Sequence, residues 1–413
     1  MPEMAVHQVI PAIRQFADSP EVQAEGCSVL AALIYMNLTG RREAQALDAV
    51  SVIMAVIEGH PKNSLVQTRA CEAMLSLVFS DSTNQTEAGA AGAVEAVVAI
   101  MKKFASKDEV QEAACGALRH LTLDHPENQR RAGDCGAVEA IIATLKRHTA
   151  SEAIVENTCA AVAFMTMKHA KNRERGATVS AVGVVVEAML AHPKSETVQD
   201  FACASLQNLV FDNAANQAMA LSSGAVEAVL EAMNTHHENP FVQEQSCGAL
   251  WNFALSGPEL LARARSAGAV EATEKVLADW SGNDAVTESA SGALEHLAPE
   301  RGPSVPAKAD IMSKREGEIL KAWHRRVNRA RERTNSRAFS TCALSPRVGG
   351  DGKVSRAFST CTWSFRFGND GVGSFAPGFA SAHDGLAPLP RAVLLARPLA
   401  KSKAFMRAVR FLR

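Results

Sequence analysis

The feature that most constrains this fold is a 44-residue repeat that runs without insertion or deletion. Its clearest marker is a cysteine, and the successive positions are Cys27, Cys71, Cys115, Cys159, Cys203 and Cys247, with Ser291 in the seventh place. The copies begin at Met4, Asp48, Gly92, Gly136, Ser180, Gly224 and Gly268. A period of this length is typical of a solenoid, in which one supersecondary unit is stacked on the next.

Each copy contains the patterns of three helices. In the copy that starts at Gly92, apolar residues at positions 94, 97, 98 and 101 follow the i, i+3, i+4, i+7 spacing of a helix face. A second, longer face follows from Val110 to Leu121 in a different register, which predicts a separate helix. The short segment "NQRRAGDC" then leads into the next copy. No unit of this kind buries its apolar face alone, so stacking must supply the core.

The starts of the long helix and of each copy have their own signals. One repeat position holds residues whose side chains cap helix N-termini in six of seven copies: Ser19, Asn63, Ser151, Ser195, Asn239 and Asn283. The seventh residue is Lys107, where Ser106 and Glu109 predict a capping box instead. The glycine that opens four copies predicts a positive φ and a sharp turn between helices.

The cysteine spacing argues against disulfides. Equivalent residues of stacked helices lie about 8–10 Å apart, whereas a disulfide needs Cα atoms within about 7 Å. We therefore interpret the repeated cysteines as small buried hydrophobic residues. The first 16 residues lack the pattern of a signal peptide, and no apolar run is long enough to span a membrane. We expect a reducing, intracellular location, cytoplasmic or alternatively nuclear.

The overall charge of −1 conceals two oppositely charged regions. Residues 300–413 contain 22 Lys and Arg and 8 Asp and Glu, a net charge of +14. The other 21 basic and 36 acidic residues give residues 1–299 a net charge of −15. We predict a basic linker with one helix at 299–334 and a disordered tail at 335–413, because that tail lacks hydrophobic periodicity.

The repeat resembles the armadillo family. The resemblance lies in the three-helix anatomy, the "NQ" after the long helix, the "GAVEA" opening and the "GALWN" segment, and it covers residues 4–298. It implies an all-α, right-handed solenoid of about seven repeats that binds other proteins. The two-helix HEAT repeat is the nearest alternative and gives a similar rod. The start of the first copy near residue 4 also allows the chain to be part of a longer array.

Armadillo proteins that bind extended peptides carry a recurrent Asn on the groove-lining face of the third helix of the family's repeat. That helix corresponds to the long helix of the copies in this chain. The matching positions in this chain are Ala32, Ser76, His120, Phe164, Asn208, Asn252 and His296. Nuclear-import receptors of the family also carry a Trp four residues earlier, where this chain has no Trp, so we do not expect such a receptor. The candidate groove residues are His120, Phe164, Gln207, Asn208, Trp251, Asn252 and His296.

Each candidate has a structural alternative. The amides of Asn208 and Asn252 could tie adjacent helices instead of holding a peptide. Trp251 could anchor a partner or pack between repeats, and the histidines could belong to a solvated helix face.

No sequence pattern for catalysis or for a metal site stands out. The chain lacks a P-loop, a nucleophile elbow, a kinase signature and a zinc-protease helix. His236 and His237 are adjacent but have no Cys or carboxylate at metal-ligand spacing. We predict no enzymatic activity, no metal and no cofactor.

The function predicted from the sequence is a scaffold that binds an extended or helical segment of another protein on its concave face. The acidic array favours a basic partner, and the basic tail could fold back and compete with it. One alternative is attachment to nucleic acid or an anionic membrane through the tail, with calmodulin-like recognition of a helix around Trp323 as a further possibility. Another is the regulatory region of a longer enzyme.

Overall fold

The structure is a computed structural model that describes residues 5–35 and 37–299, and these residues form twenty α-helices. Three kinds of helix alternate along the chain, and we name them by length. The long helices have 14–16 residues, the middle helices 10 or 11, and the short helices 9. The middle helices are α1 (Val6–Gln15), α4 (Ala49–Gly59), α7 (Ala93–Lys103), α10 (Ala137–Arg147), α13 (Ala181–Ala191), α16 (Ala225–Thr235) and α19 (Ala269–Asp279). The long helices are α2 (Pro20–Ile34), α5 (Ser64–Val78), α8 (Asp108–Thr122), α11 (Glu152–Thr166), α14 (Glu196–Val210), α17 (Pro240–Leu255) and α20 (Asp284–Leu297). The short helices are α3 (Leu38–Ala46), α6 (Ser82–Ala90), α9 (Pro126–Asp134), α12 (Ala170–Thr178), α15 (Ala214–Ser222) and α18 (Pro258–Ser266).

The predicted three-helix repeat and its unbroken register are confirmed. Each long helix packs on the long helix of the next repeat, from α2 through to α20, and the middle helices cover this layer from one side. The six repeated cysteines lie inside the resulting continuous core, fully buried and free of disulfides. Their interpretation as buried hydrophobic residues is therefore confirmed.

Most of the predicted helix caps form. The side chains of Ser19, Asn63, Ser195, Asn239 and Asn283 accept hydrogen bonds from first-turn amides of their long helices. Ser151 occupies the same position but makes no such bond. The capping box predicted around Lys107 was wrong, because Lys107 itself is the N-cap residue of α8 and no side chain caps that helix.

The turn before each middle helix from α4 to α19 uses a left-handed residue. Gly92, Gly136, Gly224 and Gly268 adopt φ values between 74° and 89°, as predicted. Ser180 adopts the same conformation with φ 58°, which costs an L-residue about 1 kcal/mol.

The predicted basic linker and disordered tail lie outside the described residues, apart from Pro299, and both remain predictions. None of the described helices has the length and apolarity needed to span a membrane.

Candidate functional site

The short helices are held in place by a column of buried asparagines. Asn128 donates through Nδ2 to the Leu121 carbonyl (2.8 Å) at the end of its own long helix and to the Gln85 carbonyl (3.0 Å) of the previous repeat. Asn172 and Asn216 make the equivalent pairs of bonds, and Asn84 makes the bond within its repeat. The last carbonyls of a helix have no partner within that helix, so the bond to the end of the long helix satisfies an acceptor that burial would otherwise leave unpaired. The second bond ties the short helix to that of the previous repeat.

A second column of amides caps the middle helices. Gln111 donates through Nε2 to the carbonyls of Met101 (2.9 Å) and Phe104 (3.0 Å) at the C-terminus of α7. Equivalent bonds are made by Gln23, Gln67, Gln199 and Gln243. This column was not singled out from the sequence, although it has the same period as the cysteines four residues later.

A third column links the C-terminal ends of the middle helices. The Nε2 atoms of His148, His192 and His236 lie 2.6–2.9 Å from backbone carbonyl oxygens of the preceding repeats. His236 is therefore an inter-repeat contact, and no group of three His, Cys, Asp or Glu in the described ranges could hold a metal ion.

One face of the long helices carries the residue positions expected to bind a partner, and we call it the inner face. Three columns spaced four residues apart lie on it, because residues at i and i+4 share a helix side. The first column is acidic in five successive repeats: Glu112, Glu156, Asp200, Glu244 and Glu288. The second is small in the same repeats: Gly116, Ala160, Ala204, Gly248 and Gly292. The third varies and contains five of the seven candidate residues: His120, Phe164, Asn208, Asn252 and His296.

The two asparagines of the variable column bond to neighbouring helices. Asn208 donates through Nδ2 to the Ala163 carbonyl of α11 (2.8 Å), and Asn252 donates to the Gln207 carbonyl of α14 (2.6 Å). Asn208, Asn252 and Gln207 are each at most 3% exposed. The amide groups thus tie adjacent long helices, which was the structural alternative, and a role in binding remains a prediction.

Aromatic packing surrounds the other central candidates. Phe164 is buried and makes an edge-to-face contact with Phe201, with the ring centroids 6.2 Å apart. His120 is buried with its ring centroid 4.9 Å from that of Phe79. Burial, and secondarily the charge of Arg119, lowers the pKa of His120 well below its ordinary value. The imidazole is therefore neutral at pH 7.

Trp251 packs between repeats. An added Cβ at Gly292 would lie 2.1 Å from a carbon of the Trp251 ring, so the small residue makes room for the indole. On the other side, the Trp251 and His296 rings are 6.0 Å apart, and His296 is only half-buried. At Gly116 an added Cβ would meet the Leu75 side chain at 2.7 Å. Side chains from the preceding repeat thus take the space that a Trp in the small column would need.

The inner face is strongly curved in its central part. The Arg119 guanidinium of α8 lies 4.5 Å above the Phe201 ring of α14, although α11 separates these two helices in the stack. A contact that skips one helix requires the array to bend toward this side. Arg119 also pairs with Glu156 at 3.1 Å, and both residues are buried.

Electrostatic effects reach equally far across this face. Burial raises the pKa of Tyr35, at the end of α2, to about 12, while the charges of Arg119 and Glu156 act on it in opposite directions. Burial also raises the pKa of Glu72, although Arg69 pairs with it at 2.8 Å. Charges on α8 and α11 therefore act on the Tyr35 hydroxyl, although burial has the larger effect.

The acidic column is the part of the site that the sequence interpretation missed. Asp200 and Glu244 are 2% and 8% exposed, Glu112 is half-buried and Glu288 is exposed. A carboxylate in the interior is unfavourable unless cations and hydrogen-bond donors accompany it. The signal was present in the sequence, since the five acids recur every 44 residues, four positions before the small column.

Several solved structures have a similar fold. An engineered protein from a structural-genomics programme aligns with a TM-score of 0.62 and 22% identity, over 78% of this chain and 72% of that chain. A designed armadillo repeat protein aligns with a TM-score of 0.51 and 22% identity, over 57% and 95%. A chain from a study of the interaction between cadherin and beta-catenin aligns with a TM-score of 0.60 and 19% identity, over 70% and 53%.

Sequence comparison identifies the family. No curated protein matches the chain significantly. The family model described as LRRK2 ARM repeat matches residues 3–129 and 125–266. These matches cover more than half of the 413 residues, and the chain therefore belongs to the armadillo repeat family represented by that model.

Proposed function

We propose that this armadillo solenoid is a non-enzymatic scaffold that binds a basic segment of another protein along its inner face. The single observation that carries the proposal is the acidic column on five successive long helices. Negative charges at a constant spacing favour a segment with several Lys or Arg residues over an apolar or acidic one. The armadillo fold and the charge of −15 on residues 1–299 support the same interpretation.

The partner segment would be recognised by rungs of contacts. Each rung consists of one acidic residue and the variable residue eight positions later, such as Asp200 with Asn208 or Glu244 with Asn252. Because the variable residue differs from repeat to repeat, each rung favours a different partner side chain. The acids provide the attraction for cations, and the variable residues provide selectivity.

The proposed location is a reducing, intracellular compartment. Seven cysteines in the described ranges are free, and six of them occupy the core in repeated positions. Disulfides are rare where thiols are kept reduced, and this arrangement suits such a compartment. The alternatives of tail-mediated attachment and of a longer enzyme depend on residues outside the described ranges.

Selection from a random peptide library displayed to the full chain tests the proposal. We expect enrichment of sequences with two or more Lys or Arg, and loss of that enrichment with Asp200→Asn/Glu244→Gln. The control is Glu58→Gln/Glu238→Gln, which removes the same charge from exposed positions outside the column. Equal enrichment by the column variant and the control variant would contradict the proposal.

A further inference from the structure

We propose that the inner face has an occupant within the same chain, the C-terminal segment 401–413, which a partner must displace. This inference rests on the proposed function, because it assigns the acidic column to a basic ligand. It goes further by naming the ligand and by making partner binding competitive.

The central part of the inner face is buried. In a solenoid with an open groove, the groove-lining positions of the long helices are in contact with solvent. Here Asp200, Gln207 and Asn208 on α14 are each at most 3% exposed, and Glu244 on α17 is 8% exposed. These positions are therefore withdrawn from solvent, and a carboxylate buried there is stable only with cations or hydrogen-bond donors around it.

The charge of the C-terminal segment is complementary to that of the acidic column. Segment 401–413, "KSKAFMRAVRFLR", contains five basic residues and no acidic residue. The other basic candidate, residues 299–334, contains five acidic residues, which an acidic column would repel. Among these two predicted regions, the C-terminal segment is the one whose charge is complementary throughout.

The spacing of the basic residues in the segment matches that of the acidic column. If the segment binds as a helix, 3.6 residues per turn would bring Lys403, Arg407 and Arg410 to one side of it. Phe405, Val409 and Leu412 would share the opposite side. Seven residues of helix span about 10 Å, and stacked helices lie about 8–10 Å apart. Lys403 and Arg410 therefore match the distance between two successive rungs of the acidic column.

The apolar side of the segment also has a counterpart. Phe164 belongs to the variable column, Phe201 follows Asp200 directly, and Trp251 precedes Asn252, so all three lie on or next to the central rungs. Arginine guanidinium groups and aromatic side chains both pack well on such rings.

The linker before the segment is long enough for the segment to reach the inner face. The 101 residues from 300 to 400 separate the segment from the end of the solenoid. Even as an unstructured coil, a linker of that length has a mean end-to-end distance of about 55 Å. That distance is sufficient to return to the central repeats. A tethered ligand also has a high effective concentration, so modest affinity is enough for high occupancy.

The test uses a fluorescein-labelled synthetic peptide of residues 401–413 and compares full-length chains by fluorescence anisotropy. We expect Arg407→Glu/Arg410→Glu to bind the peptide about tenfold or more tightly than the wild type, because its own segment no longer competes. The matched control is Arg347→Glu/Arg356→Glu, which reverses the same charge elsewhere in the tail and should leave the affinity at the wild-type value.

A second pair of variants locates the surface. Adding Asp200→Asn/Glu244→Gln to the Arg407→Glu/Arg410→Glu chain should abolish its gain in affinity for the peptide. Adding Glu58→Gln/Glu238→Gln should preserve that gain. Because two substitutions replace buried residues, thermal unfolding followed by circular dichroism checks the fold. The exposed acid of the column provides a further variant, Glu288→Gln, for which we expect a smaller loss.

The outcomes separate this inference from the proposed function. Equal peptide affinity for the wild type and Arg407→Glu/Arg410→Glu would overturn the internal ligand, and the acidic column could still bind partners. A scrambled peptide that binds as tightly as the native sequence would overturn the assignment to this segment. Failure of the peptide and of basic library peptides to respond to Asp200→Asn/Glu244→Gln would overturn both.

Discussion

Two sets of residue columns run along this solenoid, and they differ in how faithfully they repeat. The Asn and Gln columns keep one residue type through most repeats, and their amides bond to the same backbone carbonyls each time. The variable column of the inner face changes from His to Phe to Asn within three repeats. Backbone carbonyls are identical in every repeat, so the side chains that bind them are identical too. The residue type of the variable column is not fixed in this way, so it can vary with the ligand that the inner face binds.

The largest effect is expected from a substitution in the Asn column. Asn172→Leu loses the bonds to the carbonyls of Met165 and Gln129 inside the core, and we expect a loss of about 2–4 kcal/mol in the free energy of unfolding. Leucine is a natural choice, since Leu260 occupies this column in the sixth repeat. Urea denaturation followed by circular dichroism measures the change.

The control for that variant lies in the variable column. Asn208→Ala removes a single bond to the Ala163 carbonyl, which also accepts from the Met167 amide, so about 1 kcal/mol is expected. An Asn208→Ala loss as large as that of Asn172→Leu would show that the inner-face amide is equally structural.

The small column gives the next largest effect. Gly292→Ala would place a methyl group within 2.5 Å of three Trp251 ring carbons, and we expect a loss of about 1–3 kcal/mol together with a shift in tryptophan fluorescence. Gly183→Ala is the matched control, because nothing lies within 4 Å of its added Cβ and alanine favours the α13 helix. Stabilisation by both substitutions would contradict the packing argument.

His120 allows a test of pH dependence. Burial lowers its pKa in the folded state, so below about pH 6.5 the unfolded chain binds a proton that the folded chain does not. The stability present above that pH is lost as the pH falls. Relative to the wild type, His120→Phe should gain about 1 kcal/mol between pH 7.5 and pH 5.5.

The comparison variant for His120 comes from the chain itself, since Phe164 occupies the same column in the next repeat. Urea titrations of both proteins at the two pH values measure the difference and cancel the contributions of the other histidines. A constant difference between the two proteins would mean that His120 titrates normally.

The smallest expected effect concerns the left-handed turn. Ser180→Gly should stabilise the chain by about 0.5–1 kcal/mol, because glycine adopts a positive φ without strain and the Ser180 side chain makes no cap bond. Gly92→Ser, the reverse change at the same repeat position, should destabilise by a similar amount. The two midpoints in urea should therefore move in opposite directions.

The repeating architecture was largely predictable from the sequence, whereas the Gln column and the contacts of the inner face were not. The period of 44 residues, the three helices and the buried cysteines follow from spacing alone, because every repeat supplies the same signal. Whether Asn208 reaches a ligand or the Ala163 carbonyl depends on the curvature of the stack. Small rotations between repeats set that curvature, and no single residue pattern encodes them. The contact between Arg119 and Phe201, two repeats apart, is the clearest example.

The Asn bonds also have a direction along the chain. Asn172 donates to Gln129 and Asn216 donates to Arg173, in each case 43 residues earlier, and His236 contacts Pro193 over the same separation. During synthesis, the acceptor of each of these bonds has already left the ribosome when its donor emerges. Each repeat can therefore dock on the one before it without waiting for the rest of the chain. Contacts of such short sequence separation are associated with rapid folding, and the solenoid can grow one repeat at a time from its N-terminal side.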